Sequence, residues 1–136
     1  MIARYILISI ASGILFGVID GVINANRLAK RLYEVYRPIA REAINPLAGV
    51  VIDLVYGFIM GGVFLLLYKS LPGVNGFMKG VSFGVLVWFF RVVMNNASQW
   101  VMFKVPIKTL LYSLGTGLVE MLALGLLYGL TLIPLP

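Results

Sequence analysis

Four long stretches of the sequence almost lack water-seeking side chains: about 5–24, 49–68, 76–95 and 107–130. Each is near the ~20 residues that an α-helix needs to cross the hydrocarbon core of a bilayer. In that medium the backbone N–H and C=O groups must be satisfied within their own segment, so apolar runs of this length fold as helices. The expected fold is an all-α integral membrane protein, four transmembrane helices forming a single domain over residues 1–136. Only 12% of the residues are charged and 61% are hydrophobic, about half the ~25% charge with which a soluble domain covers its surface. The opening "MIARYILISIASGILFG" has the basic start of a signal peptide. Its apolar run continues to about Ile23 with no small-residue cleavage site, so a retained first helix is expected. "LPG" (Leu71–Gly73) marks a turn, and "IPLP" (Ile133–Pro136) ends the last helix.

The chain contains no Cys and no His. Disulfides, thiol nucleophiles, thiolate zinc sites, histidine-ligated haem and imidazole acid–base chemistry are thereby excluded. No metal and no cofactor is expected. Ionisable chemistry falls to five carboxylates, eleven Lys and Arg residues and seven tyrosines.

Between the first two spans lies "NRLAKRLYEVYRPIAREAINP" (Asn26–Pro46). Leu28, Leu32, Val35, Ile39 and Ala43 recur at helical spacing, with Arg27, Lys30, Arg31, Arg37 and Arg41 mostly off that stripe. The pattern predicts a basic amphipathic segment over 26–46, kinked or divided at Pro38, lying on the membrane surface against anionic lipid headgroups. A solvated connector, or a helix docked on a partner subunit, is the alternative. Seven Lys and Arg residues flank the spans on this side (those five with Lys104 and Lys108), against Arg4, Lys69 and Lys79 on the other. The excess predicts a cytoplasmic linker and both termini outside, in a cytoplasmic (inner) membrane. Trp88, Trp100, Tyr5, Tyr68 and Tyr112 fall near the expected interfaces as an aromatic belt. Without a soluble basic face no nucleic-acid partner is expected.

Every span carries glycines four apart: Gly13, Gly17 and Gly21; Gly57 and Gly61; Gly76, Gly80 and Gly84; Gly125 and Gly129. Such stripes let helix backbones approach closely where no hydrophobic drive exists between helices in lipid. They predict a tight bundle, with homo-oligomerisation or a membrane-protein partner. The intramembrane charges lie on or beside these stripes. Asp20, Asp53 and Arg91 each sit about 6 Å inside the linker end of their span, which predicts an Asp20–Arg91–Asp53 cluster. Snorkelling of Arg91 to headgroups is the alternative. Glu120 is placed roughly 20 Å from that boundary, with no basic residue at its depth. A carboxyl so placed suits proton or ion binding, as in pumps and transporters, or a structural hydrogen bond to Tyr56 or Ser9. Asn24, Asn95, Ser113 and Thr116 complete the candidate pathway residues.

These features predict an oligomeric transporter or channel for an ion, proton or small solute. The competing reading is a non-catalytic subunit, assembly factor or lipid-organising component. The chain has the size of the small multidrug exporters and fluoride channels but lacks their hallmark residues. "FGVIDG" (Phe16–Gly21) and "VVIDLVYG" (Val50–Gly57) do not fit the G-x-G-D of aspartyl intramembrane proteases, and no enzymatic activity is expected.

Overall fold

A computed structural model describes residues 2–41, 43 and 45–132. Helices α1 (Ile2–Ala25), α2 (Arg27–Leu32), α3 (Pro46–Leu67), α4 (Gly76–Trp88), α5 (Met94–Met102) and α6 (Ile107–Thr131) follow in order, with no strand among the described residues. A 3₁₀ segment, Tyr33–Ile39, continues α2; another, Tyr68–Ser70, ends α3; a π-helical turn, Phe89–Val93, joins α4 to α5. Four helical segments are long and apolar enough to cross a membrane: Ile2–Ala25, Pro46–Ser70, Gly76–Met102 and Ile107–Thr131.

Side-chain caps set several of the helix starts. Asn45 accepts from the Leu47 and Ala48 N–H groups, with Pro46 in the first turn where its missing N–H costs nothing. Asn75 caps α4 at Met78 N, and Asn26 caps α2 at Ala29 N. The "LPG" turn uses Gly73 at φ +129°, a conformation that side-chain-bearing residues rarely adopt. Lys79 Nζ then reaches back to the carbonyls of Tyr68 (2.6 Å) and Leu71 (3.0 Å), placing a cation where α3 leaves its last acceptors. The "IPLP" stop lies outside the described residues.

Two segments depart from the pattern read in the sequence. The third span was expected to end at about residue 95; instead the helix passes through the π turn and continues to Met102. Of its polar residues Asn96 is buried, donating from Nδ2 to Val92 O (2.7 Å) and to Ser113 Oγ (3.3 Å), while Asn95 and Ser98 are exposed. The 26–46 linker is divided, but at Leu32 rather than at Pro38. It forms the short α2 and then the 3₁₀ segment that contains Pro38. Ala29, off the expected stripe, is its fully buried residue, while Leu28 and Ile39 are exposed. The linker is docked on the bundle: Thr109 Oγ1 donates to Leu32 O (2.6 Å), and Tyr36 OH donates to Gln99 Oε1.

The helices associate as two pairs, α1 with α3 and α4 with α6, joined along α1 and α6. Within each pair the backbones nearly touch at glycine. A Cβ added at Gly57 would lie 2.5 Å from Ser9 O, one at Gly13 2.9 Å from Asp53 O, and one at Gly84 2.8 Å from Met121 O. At Gly80, Gly125 and Gly129 it would strike the carbonyls of Gly125, Gly80 and Gly76. Gly61 faces Ser9 Oγ and Tyr5 side-chain atoms, whereas Gly21, expected on the same face as Gly13, meets nothing.

The core fills the half of the bundle nearest the termini. Phe64, Phe83 and Tyr128 are fully buried, with ring centroids 5.3 to 6.1 Å apart, and Phe16, Met121, Leu124 and Leu132 surround them. Tyr128 OH donates to Ser12 Oγ (2.8 Å) and lies 3.1 Å from Gly57 O; Ser12 Oγ donates in turn to Ser9 O (2.8 Å). One phenol thus ties α6 to both helices of the other pair. Trp88 Nε1 donates to Leu114 O (2.9 Å), holding α4 to α6. Leu7, Ile14 and Val18 of α1, Ile59 and Leu66 of α3, and Leu111, Val119 and Leu130 of α6 point outward.

Candidate functional site

In the half nearest the linker the two pairs separate around a cavity of about 290 Å³. Asp20, Ile23 and Asn24 of α1 form one wall; Ser113, Thr116, Gly117 and Glu120 of α6 form another. Arg91 and Val92 of the π turn, Asn95 and Asn96 of α5, and Tyr33 of the linker close the rest. Its polar lining runs from the buried Glu120 to the exposed Asn24 and Asn95. Past Glu120, the buried Met121, Leu124 and Tyr128 fill the bundle.

The π turn presents Arg91 to this cavity. Its bond from Met94 N to Phe89 O reaches back five residues rather than four, so one extra residue is inserted and the downstream helix face rotates. Val92 and Asn96 are consequently the buried residues of this segment, one position on from Arg91 and Asn95 of the expected stripe. A Cβ at Gly117 would lie 2.8 Å from Val92 Cγ1, so the absence of a side chain there lets the turn seat against α6.

Arg91 does not form the expected bidentate pair. Among the described residues the ion pair within 4.0 Å is Arg37–Glu34, at 3.7 Å and exposed, a type worth at most about 1 kcal/mol. The Arg91 guanidinium instead lies 5.0 Å from the ring centroid of Phe16 and 5.1 Å from that of Tyr56. Those two rings stack at 5.0 Å. Aromatic faces attract a cation without quenching its N–H donors, which leaves the guanidinium available to an anion.

Asp53 is the one candidate pathway residue outside this cavity. It sits in the α1–α3 seam, where a Cβ at Gly17 would lie 2.8 Å from its Oδ2. A separate groove of about 590 Å³ there is lined by Asp53, Asp20, Gly21 and Gly49. The cavity instead brings Glu120 to Asp20 and Arg91. Depth along α6 and depth along α1 do not start from a common level. Tyr112 OH donates to Ile23 O (2.6 Å) and fixes their relative level. From that contact, Glu120 is eight residues further along α6, about 12 Å of helical rise, and Asp20 three residues back along α1, about 4.5 Å. The cavity reaches from one level to the other, with Asp20, Arg91 and Glu120 all in its lining.

Glu120 is 4% exposed, and its Oε1 is buried with no hydrogen-bond partner. The expected glue contacts to Tyr56 or Ser9 are not formed at that atom. Ser9 Oγ is likewise buried and unpartnered, among the helix–helix contacts at Gly61. An unmade hydrogen bond to a buried polar atom costs about 1–3 kcal/mol, more for a charged group. Folding alone does not favour keeping a carboxyl in this state.

The linker supplies a residue that the sequence did not single out. Tyr33 enters the cavity wall because α2 is fastened to α6, by Thr109 at Leu32 O and by Asn26 Nδ2 at Tyr112 OH (2.8 Å). Burial pushes the Tyr33 phenol above its ordinary range, so it stays a neutral hydroxyl. No periodic signal marks Tyr33. Asn96 did carry one, three steps of four from Gly84. The basic residues Arg27, Lys30, Arg31, Arg37 and Arg41 are all exposed. Among the described residues no three carboxylates gather closely enough to hold a metal ion.

Comparison of the chain with protein-family models, curated proteins and solved structures finds no match to any of the three.

Proposed function

We propose that the protein is a small transporter, working as a homo-oligomer, that takes a proton, ion or small polar solute into the cavity between its helix pairs. The observation that carries this reading is Glu120 Oε1, buried and unpartnered at the inner end of a polar cavity shared with Asp20 and Arg91. Intramembrane ionisable groups kept at such cost mark substrate and proton pathways. The aromatic core beyond Glu120 argues for a carrier that opens to one side at a time rather than a continuous channel. Four helices leave one protomer little room to move, so the glycine faces and outward apolar surfaces would serve assembly as well as internal packing. The excess of Lys and Arg supports a linker side in the cytoplasm and both termini outside, with Arg27, Lys30, Arg31, Arg37 and Arg41 available to anionic headgroups.

The test is dissipation of an imposed pH gradient in proteoliposomes carrying wild type or Glu120→Gln. Wild type should collapse the gradient several-fold faster than empty vesicles, and Glu120→Gln should not. Equal rates for both proteins would remove Glu120 from the pathway. The non-catalytic subunit reading draws on a different observation, the backbone contacts at Gly57, Gly80 and Gly125 that make each pair a stiff unit. It gains if neutralising Glu120 lowers stability substantially and no flux is found.

A further inference from the structure

The cavity holds opposite charges that do not pair with each other. Arg91 has no carboxylate within 4.0 Å among the described residues, although Asp20 and Glu120 line the same space. Its place over the Phe16 and Tyr56 rings holds the cation on one wall. Glu120 Oε1, on another wall and 96% buried (4% exposed), lacks a donor. A lone cation would satisfy the carboxylates and leave the guanidinium without an anion; a lone anion would do the reverse. Both are met by one solute that carries both signs.

We propose that the cavity binds a small zwitterion, its anionic group on Arg91 and its ammonium on Glu120 and Asp20. Size agrees: about 290 Å³ is the room of roughly ten water molecules, enough for a compact solute with some solvent and at the small end of ligand pockets. The amides of Asn24, Asn95 and Asn96 and the hydroxyls of Ser113 and Thr116 supply neutral donors and acceptors around the charged ends. An ammonium joined to an anion is found in free amino acids and in the ethanolamine phosphate headgroup of lipids. The chemistry is shared, and the two sources are separated by experiment. The inference rests on the transport reading for the cavity's being a solute site, but its test measures binding and not flux.

Binding is measured by isothermal titration of the full chain in detergent micelles, with glycine, methylamine, acetate and glycerophosphoethanolamine as probes. The expected result is saturable binding of glycine or glycerophosphoethanolamine, with methylamine and acetate each at least tenfold weaker, since each half-molecule forfeits one charge-assisted contact. Preference for glycine assigns a soluble amino acid, and preference for glycerophosphoethanolamine assigns a lipid headgroup; either upholds the zwitterion. Arg91→Gln and Glu120→Gln should each weaken the preferred probe tenfold or more. Methylamine or acetate binding as well as the zwitterions, no binding of any probe, or binding unchanged in both folded variants would overturn the proposal. The wild-type ranking decides the matter even where a variant does not fold. Glu120-dependent proton flux without zwitterion binding sinks this inference alone, whereas zwitterion binding without flux sinks only transport.

Discussion

The half of the bundle nearest the termini and the half nearest the linker share the same long helices but are held together differently. In the first, glycines bring backbones into contact and Phe64, Phe83 and Tyr128 fill what remains, with the Tyr128 hydroxyl satisfied. In the second, the pairs part around Asp20, Arg91 and Glu120, one carboxylate oxygen has no partner, and the linker supplies part of the wall. Interior packing is dense enough that an added methyl is felt, while a cavity tolerates a change of side-chain chemistry. One half therefore carries stability, and the other has room for binding.

Substitutions that add or remove single groups test that contrast. The largest effect is expected from Gly80→Ala, whose methyl meets the Gly125 carbonyl rather than a movable side chain. It should destabilise by about 3 kcal/mol in denaturant unfolding from micelles. A loss as small as that of an exposed substitution would mean that the α4–α6 seam relaxes easily. Tyr128→Phe comes next, at about 1 kcal/mol, because it removes the donor to Ser12 and leaves the ring in place. A neutral result would show that Ser12 finds another donor. Gly21→Ala sharpens the comparison from the other side. Its methyl meets nothing within 4 Å, and alanine is the better helix former, so a gain of up to about 1 kcal/mol is expected. Smallest of all is Glu120→Gln, for which the melting temperature should stay level or rise, since a site kept for function is often kept against stability. If Glu120→Gln instead cost as much as Gly80→Ala, the division of labour between the halves would fail.

The membrane-crossing helices were legible because one property, a run of apolar residues as long as the bilayer is thick, determines them. The site was legible only in its membership. Asp20, Asn24, Arg91, Asn95, Ser113, Thr116 and Glu120 do line one cavity, yet the pairing expected of Arg91 with Asp20 and Asp53 does not form. The π turn accounts for part of this. A one-residue insertion in a helix leaves the apolar run intact and changes only which face is buried, and its trace is the step from Gly84 to Val92 and Asn96 rather than to Arg91 and Asn95. That Glu120 shares a cavity with Asp20 and Arg91 was not legible, because residue counts along separate helices carry no information on their stagger, to which long-range contacts such as Tyr112 OH to Ile23 O contribute. In the linker, a helical repeat existed but had no helix-length segment to act on. Pro38 and the docking of Leu32 and Tyr36 onto α6 and α5 decided its shape.

The indole of Trp88 is half-buried and donates to the Leu114 carbonyl in the seam between α4 and α6, whereas Trp100, the chain's other tryptophan, is 63% exposed near the linker end. The molecule thus carries an unequal pair of natural fluorophores. Emission from Trp88 is tied to the distance between two helices of one pair, and Trp100 samples the surroundings of α5. Replacing Trp100 with Phe leaves a single-tryptophan protein whose colour and lifetime follow the α4–α6 seam with no added label.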